Sequence, residues 1–219
     1  MKQEIVFATL GSIMTIVFLM IVNFLTSPEH LWFLYPSHIL ILWPISLYFL
    51  SKKQYKYGVL FVGLVIILFL SLNNYFNSPG HPWVLYAIYP IILLITLTFL
   101  GKAGAKLSVA LIGSLASIIY YSVLNFYLSP GYPWAIYPAY AILWWPILLY
   151  FLSSRRYFGL SISGTFLTVV FLIVVSAVST PSVIWEVYPI FLILWWPLSM
   201  YFYGSDRRKN GGNKRAEQI

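Results

Sequence analysis

Hydrophobic residues in this chain neither alternate nor keep to narrow stripes; they fill long runs broken by two kinds of polar segment that take turns along the sequence. Between Ile5 and Leu25, Gly58 and Leu72, Leu107 and Leu124, and Leu160 and Val178 there is no Asp, Glu, Lys, Arg or His. With the Asn, Tyr and Ser residues that flank it, each run is about as long as a helix needs to cross ~30 Å of hydrocarbon. A short turn follows each run, reading SPEHLW, SPGHPW, SPGYPW and TPSVIW. A second apolar stretch then extends from the Trp to about Leu50, Leu100, Leu152 and Tyr203. The pattern predicts a first helix, a turn and an aromatic second helix, repeated until eight spans are made.

The repeat has a fixed period, since Trp32, Trp83, Trp134 and Trp185 are spaced by 51 residues. The copies cover about 1–53, 54–104, 105–155 and 156–204. Two spans per copy leave all copies pointing the same way through the bilayer, unlike the inverted repeats of many transporters. The expected fold is an all-α integral membrane protein, with 1–204 forming one transmembrane bundle of four parallel two-helix repeats. The remainder, 205–219 (SDRRKNGGNKRAEQI), is polar, basic and Gly-containing, which predicts a disordered cytoplasmic tail.

Composition agrees with a lipid solvent. Hydrophobic residues make up 61% and charged residues 8%, with a mean hydropathy of +0.85. A soluble core of 219 residues cannot hide that much apolar surface. The net charge of +8 suggests nucleic acid until the charges are placed. All 13 Lys and Arg residues lie at a terminus or in a connection from a second helix to the next first helix, and none lies in a Trp-bearing turn. By the positive-inside rule both termini and the basic connections face the cytoplasm of a cell membrane. The charge reports topology, so the expected partners are the lipid bilayer and another membrane protein, and no nucleic acid. The chain has no Cys, which removes disulfides and thiol chemistry.

First helices carry small residues at helical spacing: Ala8, Gly11, Ser12, Thr15; Ala110, Gly113, Ser114, Ser117; and Ser161, Gly164, Thr165, Thr168. In lipid such a stripe is a packing face, because close backbone approach and hydroxyl bonds drive association there. Second helices carry Trp-Pro pairs at Trp43-Pro44, Trp145-Pro146 and Trp196-Pro197, which predict kinks. Each Pro frees the carbonyl four residues back, and the neighbouring indole N–H is its expected donor. Copy two departs from this plan, with Val59, Val62, Gly63 and Ile66 in the stripe and Leu94-Ile95 for the Trp-Pro pair, so it is expected to face lipid.

Candidate chemistry is sparse. His38 is the one ionisable side chain well inside a span apart from Tyr, and its counterparts Tyr89, Tyr140 and Phe191 identify the position as one for any flat ring. Asn23, Asn74 and Asn125, with Ser176 in copy four, stand nine residues before each Trp and are structural candidates for bonding last-turn carbonyls. Glu29, His30 and His81 are not spaced as a metal motif. No nucleophile set, metalloprotease motif, phosphate loop or intramembrane carboxylate pair is present, so no enzyme activity, cofactor or metal is expected. The remaining candidate is an aromatic rim made of Trp32, Tyr35, Trp83, Tyr86, Trp134, Tyr137, Trp185 and Tyr188 with Glu29 and Glu186. It reads first as an interfacial belt, and as a cation-binding cup only if the rings converge.

Asn23, Asn74 and Asn125, the turns SPGHPW and SPGYPW, and the three Trp-Pro pairs together resemble a bacterial class of small two-transmembrane-helix domains, repeated here in tandem. That resemblance implies a domain appended to regulators or standing alone, without catalytic residues. The expected function is a non-enzymatic membrane-embedded partner or regulatory module. The alternative is a small permease or channel for an uncharged, hydrophobic or quaternary-ammonium solute.

Overall fold

The computed structural model describes residues 2–180 and 182–216, with side chains as far as 203. The described residues form α1 (Lys2–Thr26), α2 (Leu34–Ser51), α3 (Tyr55–Asn77), α4 (Val84–Leu100), a short 3-10 helix (Gly101–Ala105), α5 (Leu107–Leu128), α6 (Ile136–Ser153), α7 (Tyr157–Ser179) and α8 (Val187–Ala216). Among them, seven helices are long and apolar enough to cross a membrane. The apolar part of α8, Val187–Tyr203, is shorter than those seven. The chain is thus all-helical with the composition of a multi-pass membrane protein.

The chain divides into two compact units, Met1–Leu100 and Gly101–Ile219. Within the first, α1, α2, α3 and α4 pack in chain order, and within the second, α5, α6, α7 and α8 do the same. The segment expected to be disordered from Ser205 continues α8 as helix to Ala216, while 217–219 lie outside the described residues.

Packing inside each unit relies on small and polar side chains. Ala8, Ser12 and Asn23 of α1, Ala110, Ser114 and Ser117 of α5, and Ser161, Gly164 and Thr165 of α7 are buried. Large apolar side chains point outward, with Phe7 72% and Phe166 69% exposed. This inversion is the arrangement lipid favours: an exposed Phe costs nothing against acyl chains, while small residues let backbones approach. Gly113 and Gly164 show the approach directly, since a Cβ at either would lie 2.6 Å from the Trp145 ring or 2.5 Å from the Trp144 ring. Gly11, placed in the same expected stripe, has nothing within 4 Å of such a Cβ, so in α1 Ala8 and Ser12 make the close face.

The connections carry their own signals. Pro36, Pro138 and Pro189 lie in the first turns of α2, α6 and α8, where the missing N–H has no helical acceptor to lose. The basic connections after α2 and α6 place Lys53 (φ 57) and Arg155 (φ 52) in the left-handed region. There Lys53 N–H bonds to the Leu50 carbonyl and Gln54 N–H to the Phe49 carbonyl, and Arg155 and Arg156 bond to Leu152 and Phe151 in the same way. This is a Schellman closure, in which glycine is the usual residue at positive φ. Here basic residues hold it.

Candidate functional site

The Trp-bearing turns are built around one side chain each. Asn23 Nδ2 donates to the carbonyls of Ser27 (2.7 Å) and His30 (2.9 Å), and its Oδ1 accepts from Phe33 N–H at 3.0 Å. Asn74 makes the same bonds to Ser78, His81 and Val84, and Asn125 to Ser129, Tyr132 and Ala135. One amide therefore closes the last turn of the first helix and caps the start of the next. Water could not perform this task at a buried helix end, because Asn23 is fully enclosed.

The α7–α8 turn closes with different residues and without the two bonds that Asn donates to turn carbonyls elsewhere. Ser176 stands 51 residues after Asn125 and is too short to bridge the turn, and Glu186 stands 51 after Ala135. The Ser176 hydroxyl donates to Glu186 Oε2 at 2.6 Å, and this bond holds the Glu186 carboxyl below its ordinary range. A carboxylate here supplies the acceptor that the Asn amide supplies elsewhere. The sequence places Glu186 in the aromatic rim, and its position in the repeat, opposite a lost Asn, is the signal for its bond to Ser176.

Other rim residues also engage their own surroundings. The Tyr132 hydroxyl lies 2.7 Å from both the Tyr137 hydroxyl and Ser179 Oγ. Trp185 Nε1 donates to Thr180 Oγ1 at 2.8 Å. Tyr35 meets Phe69 edge-on, Tyr86 lies 5.9 Å from His81, and Trp134 meets Tyr121 edge-on. Trp32 and Trp83 are half-buried at the starts of α2 and α4, whereas Glu29 and Tyr188 are exposed. The structure thus places Trp32, Tyr35, Trp83, Tyr86 and Glu29 in the first unit, and Trp134, Tyr137, Trp185, Tyr188 and Glu186 in the second.

The prolines are met differently from the expectation. Leu40, Ile142 and Ile193 are the residues four before Pro44, Pro146 and Pro197. Their carbonyls accept from the hydroxyls of Ser12 (2.8 Å), Ser114 (3.2 Å) and, at a long 3.4 Å, Thr165. The donor is a hydroxyl on the preceding helix, not the adjacent indole. Copy two lost both partners together, with Gly63 at the hydroxyl position and Ile95 at the proline position, and that paired change was the sequence signal for the contact. Other intramembrane hydroxyls bond their own helices: Thr9 to Ile5, Thr15 to Gly11, Ser117 to Gly113 and Thr168 to Gly164.

His38 stacks on Phe69 at 4.1 Å and 15°, as Tyr140 stacks on Phe171 at 4.0 Å and 16°. The shared geometry fits the reading of this position as one for a flat ring. Tyr140 adds a hydroxyl contact of 3.0 Å to Thr168, whereas the residue at the matching place in α3 is Ile66, and His38 Nε2 is buried without a partner. Among the described residues no three His, Cys, Asp or Glu side chains gather as a metal site. No protein-family model, curated protein or solved structure matches the chain.

Proposed function

We propose that the chain is a cell-membrane protein of four tandem two-helix units and eight spans, with both termini cytoplasmic, and that it acts as a non-enzymatic membrane-embedded partner or regulatory module. Val187–Tyr203 serves as the eighth span, at the short end of the ~17–25 residues a crossing helix uses. The resemblance of each unit to bacterial two-transmembrane-helix domains supports the same role. The aromatic rim is an interfacial anchor in this reading.

One observation carries the proposal against the permease alternative. Among the described residues the buried hydroxyls and amides of the helices are engaged at the turns, at the prolines and along their own helices, with Ser37 Oγ and its neighbour His38 Nε2 as the two buried polar atoms left without a partner, and no Asp, Glu, Lys or Arg stands among them. A solute path needs polar groups to spare. Two preparations test the reading: native membranes cross-linked before purification, and the purified protein in liposomes loaded with uncharged and quaternary-ammonium solutes. A module brings a defined membrane partner through purification and leaves the liposomes tight. Solute flux through the protein alone would refute it.

A further inference from the structure

Two indoles fill the centre of the second unit, and the first unit lacks both. Trp144 and Trp196 stack at 6.3 Å and 28° and close over Gly164. The positions 102 residues earlier hold Leu42, Leu94 and Val62. Leucines do not replace the volume of indoles. Between α2, α3 and α4 a cleft of about 270 Å³ remains, lined by Phe49, Val62, Ile91 and Leu94 among others, with Leu94 58% exposed at its edge.

The dimensions and charges of the cleft identify an occupant. Along α3 it runs from Tyr55 to Ile66, which at ~1.5 Å per residue is ~16 Å, or about one leaflet of a ~30 Å hydrocarbon core. Its volume lies just below the ~300 Å³ of small-molecule pockets, too little for a helix from a partner or a second copy. The wall is apolar apart from Ser46 and Tyr55, and Tyr55 sits at the end where the basic connection begins. Lys52, Lys53 and Lys56 gather at that end, where the helix order puts one carboxylate of the first unit, Glu4 of α1, on the same side as the three lysines. Lys56 Nζ donates to the Phe99 carbonyl at 3.2 Å, which holds its ammonium beside the end of α4 with two donors left.

We propose that this cleft binds one acyl chain of an anionic phospholipid from the leaflet on the lysine-bearing side, with the headgroup phosphate held by Lys52, Lys53 and Lys56. The inference rests on the membrane reading above but not on the partner role; flux in liposomes would remove that role and leave the lipid site standing.

Native mass spectrometry of the detergent-purified chain, titrated with phosphatidylglycerol or phosphatidylcholine of equal chain length, tests the site. The parent retains one phosphatidylglycerol in preference to phosphatidylcholine. Lys52→Gln with Lys56→Gln weakens that retention by roughly fivefold for each charge removed and reduces the headgroup preference. Val62→Gly with Leu94→Trp puts one of the second unit's two indoles over a glycine at the cleft and abolishes retention, with thermal unfolding showing that the fold persists; Leu94→Phe serves if that pair fails to fold. Equal retention by the filled variant and the parent, or no headgroup preference in the parent, overturns the proposal. So does loss of phosphatidylglycerol through competition by an uncharged alkane-chain amphiphile at equal concentration, which would assign the cleft to neutral hydrophobes.

Discussion

Ser12 on α1 donates its hydroxyl to the carbonyl of Leu40 on α2 at 2.8 Å. That carbonyl is open because Pro44, four residues on, has no N–H to offer it. A bend-inducing residue in one helix and a small hydroxyl residue in its neighbour therefore form one device. The cost of an unpaired carbonyl in hydrocarbon is what couples them.

Coupling of this kind appears in a double-mutant cycle. Ser12→Ala alone should lower stability by about 0.6–2 kcal/mol, the range for interhelical bonds in membranes. In a Pro44→Ala background the new N–H serves Leu40, so the same Ser12→Ala change should cost clearly less. Thermal unfolding of the four proteins in one detergent reads the difference. Additive losses would show that Ser12 and Pro44 act separately.

The turn amides should be the least replaceable polar groups in the chain. Asn125→Ala removes three bonds at a helix junction, and at about 0.5–1.5 kcal/mol each it should destabilise by ~2–4 kcal/mol. Asn125→Asp keeps the acceptor for Ala135 N–H and loses both donors, so it should fall between Asn and Ala. Denaturant titration by helical circular dichroism orders the three, and an Asn125→Ala protein as stable as the parent would remove the turn account.

Glu186 gives the α7–α8 turn an acid dependence. Its folded carboxyl is depressed below the ordinary 4.5, first by the Ser176 hydroxyl and then by backbone N–H bonds. A depressed acid contributes stability above its unfolded value, and that contribution disappears as pH falls through the folded value. The loss should therefore appear below about 4.5. Glu186→Gln should flatten that part of the stability–pH curve, and an unchanged slope would place the acid sensitivity elsewhere.

Lys53 at φ 57 occupies a conformation that suits glycine. Lys53→Gly should raise stability by up to about 1–2 kcal/mol, the cost of the left-handed region for a residue with a Cβ. A Lys at this place adds positive charge to that connection. A lower unfolding temperature for Lys53→Gly would mean the side chain contributes more than its backbone costs.

Sequence periodicity carried much of this molecule, because a hydrocarbon solvent imposes run length and keeps charges out of the runs. The helix positions, the buried stripe of Ala110, Ser114 and Ser117, and the structural role of Asn125 were legible in that way. The partner of Pro146 was legible only in the joint loss of hydroxyl and proline at Gly63 and Ile95, since the rotation of α5 against α6 decides whether Ser114 or the Trp145 indole meets Ile142, and rotation leaves no trace in spacing. The bond between Ser176 and Glu186 was hidden for a related reason, since the two meet only once the turn is folded. The division at Leu100 and the helix beyond Ser205 depend on packing and on tail conformation that local composition does not encode.

In the proposed topology α8 crosses the membrane as an eighth span and returns the C-terminus to the side of the basic connections. Single Cys residues at Ser78, Ser129 and Ser205 of a chain that has no Cys of its own allow a membrane-impermeant thiol reagent to report each side in intact cells. With eight spans, positions 78 and 129 are labelled and 205 is protected until the membrane is opened. Labelling at 205 in intact cells, together with 78 and 129, would mean that Val187–Tyr203 does not cross and that the chain has seven spans.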